Sequence, residues 1–239
     1  MKILGMKLSV PACLLMLFLL PAFVSRAQDA NELIKKVKDK LALVTDYQAE
    51  GVMKTDVSFM KVPESKVTIF YKKPDKFKIK KQDGISIVPK GGGNINLAAL
   101  FEGNNYTAVA AGKGTVNDAA VAIVKLLPLD EKSDVVVSTL YIDEKEALVK
   151  KAIITTRENG TYEMEMQYGK YAGKGLPDVI TFLFATKDYK LPKGLAFDYD
   201  AGGQQQKPNT SAAGNQKGKI QISYNSYSIN KGLANDLFK

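Results

Sequence analysis

The chain has 239 residues, 34 Lys+Arg against 25 Asp+Glu, a formal charge of +9, no histidine, no tryptophan and one cysteine. This composition excludes an intrachain disulfide, histidine-ligated metal centres and the Ser-His-Asp or Cys-His arrangements of nucleophilic catalysis. No catalytic residue, metal or cofactor is expected. Residues 1–27 read as an export leader: Lys2 and Lys7, an apolar run from Leu14 to Val24, then Ser25-Arg26-Ala27 as a cleavage site before Gln28. Its removal takes away Cys13 and leaves a net charge of about +6 on a single domain, 28–239.

Residues 29–44 read as a helix capped by Asp29, with Glu32 completing a capping box and Leu33, Ile34, Val37, Leu41 and Val44 in one stripe. Strands follow. Segments 47–57 and 66–72 are expected to be neighbours, and 76–81 resumes after a break at Pro74. In "KVTIFYKKPDKFKIKK" the odd positions Val67, Ile69, Tyr71, Phe77 and Ile79 form an apolar face. Even positions are mostly lysines, with Phe70 the exception. That basic face serves solubility or forms a landing surface for acidic membrane proteins or anionic headgroups.

Segment 84–104 holds Gly91-Gly92-Gly93 and then Leu97, Leu100 and Phe101 at helical spacing, a mobile insertion ending in a short apolar helix. Its glycines lack the G-x-x-x-x-G-K-[ST] phosphate-loop pattern. Residues 116–127 read as a strand leading into 134–143. Asn159-Gly160 marks a hairpin. A two-residue turn there would pair Arg157 with Tyr162, Thr155 with Met164 and Ile153 with Met166, with Tyr162, Met164, Met166 and Tyr168 on one face. In 178–186, Ile180, Phe182 and Phe184 share a face. The polar tract 201–218 reads as a second mobile insertion, and 219–230 closes the sheet. Asp188, Asp198 and Asp200 lack calcium-loop spacing and read as solvated. Consecutive strands without helical crossovers make the sheet antiparallel.

The helix, "DYQAEGVMK", "KVTIFYKKPDKFKI", the loop-helix insertion, the meander and the C-terminal "YSINKGLANDLF" together resemble the LolA-like outer-membrane lipoprotein-sorting family over roughly residues 29–239. The sharpest motif is the aromatic–basic–Pro–x–x–Phe run at 70–77. The resemblance implies a mainly β protein, a strongly curved antiparallel sheet forming an open, incomplete barrel under a helical lid. It also implies a periplasmic location and a cavity that accepts acyl chains of lipoproteins or lipids. Partners would be an inner-membrane lipoprotein-releasing complex and an outer-membrane acceptor, with no nucleic acid and a monomeric carrier.

Lys73 matches the basic residue that hydrogen-bonds lid backbone, where the best-known carriers have Arg, and Phe77 matches the aromatic at the docking rim. Cavity lining is expected from Ile69, Tyr71, Ile79, Leu97, Leu100, Phe101, Met164, Met166, Phe182 and Phe184, with Met53 and Met60 as further adaptable liners. The other reading on the same fold is a non-carrier sensor or ligand-binding module.

Overall fold

The structure, a computed structural model, describes residues 24–57, 60–61, 63–81, 97–101, 105–158, 160–185 and 217–238. The expected leader before Val24, the triglycine loop, Asn159, Asp188, Asp198, Asp200 and the 201–218 tract up to Gln216 lie outside them.

Helix α1 spans Val24–Ala42. It begins upstream of the expected start, so Asp29 and Glu32 sit within the helix and form no capping box. Ser, Arg, Ala and Gln are acceptable helix residues, and nothing in the 25–28 stretch stops the helix from extending. The apolar stripe is as expected: Leu33, Ile34, Val37 and Val44 are buried and Leu41 packs beside them.

Eleven strands follow among the described residues: β1 Asp46–Val57, β2 Met60–Lys61, β3 Ser65–Lys72, β4 Lys76–Lys81, β5 Tyr106–Val116, β6 Ala119–Pro128, β7 Val135–Asp143, β8 Leu148–Thr156, β9 Thr161–Gln167, β10 Val179–Ala185 and β11 Lys217–Ile229. Short 3-10 turns lie at Leu97–Phe101, Ala172–Lys174 and Asn235–Phe238. The strand order is β4-β3-β1-β11-β10-β9-β8-β7-β6-β5, with β2 attached to β1. All pairings are antiparallel. β4 and β5 are edges that do not pair with each other, so the barrel stays open. Among the described strands, β1–β11 is the pairing that joins the parts of the chain farthest apart in sequence. α1 packs along β5 and shares one apolar core with the inward face of the sheet.

β5 is the strand that hydrophobic periodicity overlooks. Its sequence, YTAVAAGKGTV, is rich in Ala and Gly, which are poor strand formers. Val116 closes β5 and the next strand starts at Ala119. Between them Asn117 and Asp118 both take positive φ (46° and 62°), as a two-residue hairpin turn requires.

The Asn159-Gly160 hairpin exists, but its register differs from the two-residue expectation. Thr155 pairs with Thr161, Ile154 with Tyr162, Ile153 with Glu163 and Ala152 with Met164. The Thr156 amide donates to the Gly160 carbonyl at 2.9 Å, and Gly160 adopts φ 70°. Arg157 is drawn out of the ladder: its amide donates to the Asp134 carbonyl (2.9 Å) and its Nε to the Ser133 carbonyl (3.1 Å). The face assignment survives the shift. Tyr162, Met164 and Met166 are buried, and Glu163 and Glu165 lie on the other face.

Candidate functional site

The inward residues of β1, β3, β8, β9, β10 and β11 form one apolar surface under α1. Met53, Ile69, Ile154, Met164, Ile220 and Ile222 there are essentially solvent-free. Strand register gives this surface two ends. One is the row Phe184 and Tyr162, beside the end of β1 at Val57; the other is the row Tyr47, Tyr71 and Phe77, with the row Met53, Ile222, Ile180 and Met166 between them.

At the first end aromatic rings fill the interior. Tyr162 and Phe182 have centroids 5.0 Å apart, and Phe182 and Phe184 5.7 Å. Gly218 lies so close under Phe184 that a Cβ there would sit 2.4 Å from the ring. Burial pushes the Tyr162 phenol up to about 12, with the Asp134 carboxylate adding to it.

A tyrosine cluster marks the second end. Tyr47 lies 5.3 Å from Tyr71 and 5.4 Å from Tyr227, and Tyr227 lies 5.0 Å from both Tyr171 and Tyr224. Tyr224 and Tyr227 are three residues apart, so a regular strand would send them to opposite faces. A bulge opposite Glu50/Gly51 resets the register: Tyr224 faces Gly51 and Tyr227 faces Ala49, both inward positions. The Tyr227 hydroxyl donates to the Pro177 carbonyl at 2.7 Å and that of Tyr168 to the Val149 carbonyl at 2.9 Å. Burial raises the pKa of Tyr47, Tyr168, Tyr224 and Tyr227 above the normal phenol value.

Within this cluster is an internal cavity of about 40 Å³, lined by Val44, Tyr47, Met166, Ile180, Tyr224 and Tyr227 among others. Through Leu41, Tyr71 and Ala98 it adjoins an open cavity of about 360 Å³. The opening is framed by the α1 C-terminus (Lys38, Leu41, Ala42), the β3–β4 turn (Lys73, Pro74, Asp75) and Phe101. Lys73 spans this mouth, its Nζ donating to the Ala42 carbonyl at 3.2 Å and its amide to the Thr45 carbonyl at 2.9 Å. A cation on the last carbonyls of a helix also suits the helix dipole. A further groove of about 370 Å³ lies at the other end of α1, between Asp29, Ala30 and Leu33 and the β5–β6 hairpin. The helix thus bridges the two edge hairpins.

The C-terminal "INKG" interlocks with the start of β1 beside the mouth. The buried Asp46 carboxylate accepts from the amides of Lys231 (2.9 Å) and Gly232 (3.1 Å). In return the Asn230 side chain accepts from the Thr45 amide (2.8 Å) and donates to the Leu43 carbonyl (2.9 Å).

The expected lining residues therefore share one side of the sheet but not one cavity. Tyr71, Leu97 and Met166 line the internal cavity, and Tyr71 and Phe101 the mouth. Ile69, Met164, Phe182 and Phe184 are packed core, while Phe77, Ile79 and Leu100 are half-buried against it. Sequence reading did not include Tyr47, Tyr224 and Tyr227 among the lining residues. The Tyr-rich "SYNSYSIN" was a usable signal, but the bulge that aligns its tyrosines was not. Among the described residues no group of three Cys, His, Asp or Glu side chains is placed to hold a metal, and no helix is long and apolar enough to cross a membrane.

An open antiparallel barrel with a helix across its concave side is the LolA-like fold, and comparison with solved structures shows the same. The chain superposes on a DUF1329-family protein from Desulfovibrio piger with TM-score 0.57 at 10% identity, covering 90% of this chain and 97% of that one. A LolA-superfamily protein from Nitrosomonas europaea gives TM-score 0.57 at 10% identity, covering 88% and 97%. A putative outer-membrane lipoprotein-sorting domain from Vibrio parahaemolyticus gives 0.51 at 11%, covering 89% and 97%. No protein-family model matches the chain, and no curated protein matches it by sequence.

Proposed function

We propose that this protein is an exported, periplasmic carrier that shields acyl chains of lipoproteins or lipids between α1 and the sheet, for delivery toward an outer membrane. The observation that carries the reading is a continuous apolar interior that reaches the surface at the Tyr71–Phe101 mouth, with α1 held across it by Lys73. Solved structures of the same fold include a putative lipoprotein-sorting domain. Each buried CH₂ contributes about 0.8 kcal/mol, so an acyl chain gains far more here than in water. Drug-sized ligand sites typically enclose about 300–1,000 Å³. The 40 Å³ inner cavity must therefore widen, by movement of the α1 C-terminus and the 97–101 turn, before a chain can enter. Met166 in the cavity wall suits a lining that repacks.

The nearly filled interior also supports a second reading, a sensor or protein-docking module on the same fold. Displacement of a fluorescent fatty-acid probe decides between them, together with mass spectrometry of lipids that co-purify with the exported protein. Micromolar probe binding supports the carrier; absence of both probe binding and co-purified lipid assigns the module.

A further inference from the structure

The outer face of the β3–β4 ribbon has an unusual charge pattern. By strand parity it presents Lys66, Thr68, Phe70 and Lys72 on β3 and Lys76, Lys78 and Lys80 on β4. Lys72 stands directly opposite Lys76, a like-charge pair that costs sheet stability. Phe70, buried despite facing outward, is covered by Lys80, whose ammonium lies 5.4 Å from the ring centroid. The described carboxylates nearby are few. Glu50 accepts from Thr68 at 3.0 Å, Glu64 just before β3 pairs with Lys54, Asp75 sits in the connecting turn, and Asp236 belongs to the 235–238 turn that packs against β4. Farther along the same face the charges are matched, with Lys151 at 2.6 Å from Glu163 and 3.8 Å from Glu165.

We propose that this ribbon is an electrostatic landing surface for an anionic lipid bilayer, placing the cavity mouth against the membrane. The placement clause rests on the carrier reading. Two observations select a bilayer over a shaped protein partner. Every cation in the ribbon is a lysine, a point charge suited to a diffuse anionic surface; arginine is the residue for bidentate recognition of individual carboxylates. Position is the second. Lys73, Pro74 and Asp75, which join the two strands, form one wall of the mouth cavity, so a ribbon lying on headgroups holds that opening where acyl chains are found.

Lysines on an edge strand also discourage edge-to-edge aggregation, and the experiment separates the two roles. The exported chain and its Lys66→Gln/Lys76→Gln/Lys80→Gln variant are sedimented with phosphatidylcholine vesicles, with and without phosphatidylglycerol, over a salt series. Any N-terminal segment that remains is common to both proteins and cancels. The wild type is expected to bind only the phosphatidylglycerol vesicles, with binding lost as salt rises and weakened on the order of ten-fold or more in the variant, whose melting temperature shifts by no more than a few degrees. Equal binding by variant and wild type overturns the proposal, as does indifference to phosphatidylglycerol. Binding to soluble polyglutamate but not to vesicles also overturns it, and assigns the surface to an acidic protein. A variant that aggregates yet binds vesicles like the wild type leaves the lysines with edge protection alone. Acyl-probe displacement without vesicles is measured in parallel. Loss of the probe signal with lysine-dependent vesicle binding intact sinks the carrier reading and spares the landing surface; the reverse pattern sinks the landing surface alone.

Discussion

At the end of the sheet occupied by Tyr162, Phe182 and Phe184, the concave face is solid: rings contact rings, and Gly218 is needed to seat Phe184. At the end by the β3–β4 turn, the same face holds tyrosines with hydrogen-bonded hydroxyls, a small cavity and an opening. Both ends use aromatic residues, but they differ in what covers them. The first is closed by its own strands, whereas the second is closed by a helix end tied down through backbone carbonyls and a lysine. Dense packing makes a rigid wall. Closure by a few polar contacts can open at modest cost, so the two ends can serve as anchor and gate.

The largest expected effect tests the solid end. Met164→Glu places a carboxylate at a fully buried position opposite Ala152 and Phe182 and should destabilise the protein by about 4 kcal/mol or more. A denaturant titration measures it; a loss under about 1 kcal/mol would mean that this end is as adaptable as the mouth. Next comes the seam beside the mouth. Asp46→Ala strips the partner from the Lys231 and Gly232 amides and should cost on the order of 2 kcal/mol, with faster hydrogen exchange at 230–232 while the amides of β9 and β10 stay protected.

Alkaline pH probes both ends at once. A phenol whose folded pKa is raised stabilises the fold fully below the unfolded value near 10 and loses that contribution as pH rises through the folded value. For Tyr162 the window runs from about 10 to about 12, and Tyr47, Tyr224 and Tyr227 act in the same direction from the mouth. Unfolding free energy should therefore be flat between pH 7 and 9 and fall steeply above 10. Tyr162→Phe should flatten the fall; an unchanged slope would remove Tyr162 from this account.

The smallest effect on stability is expected at the rim. Phe77→Glu changes a half-buried residue and should shift the melting temperature by only a few degrees while impairing handover in a lipoprotein-transfer assay. Global unfolding of this variant would make Phe77 core and cancel its role at the rim.

Much of the fold was legible in the sequence because burial imposes periodicity. The alternation at 66–72 and 178–186 placed Ile69, Tyr71, Ile180, Phe182 and Phe184 inward, and the helical stripe was correct from Leu33 to Leu41, whereas Val44, expected on the helix, is buried just past its end at Ala42. β5 was not legible, since an edge strand of Ala and Gly carries little hydrophobic signal. Register was beyond reach for a different reason: a strand looks the same from the sequence whichever neighbour it slides along. Contacts from Arg157 to the 133–134 segment decided the β8–β9 hairpin, and a bulge against Gly51 turned Tyr224 and Tyr227 to the same side. The sequence by itself thus determined which residues leave water. Only the tertiary structure decided which of them pack solid and which surround a cavity, because that depends on pairings between distant strands, above all β1 with β11, and on where α1 comes to rest.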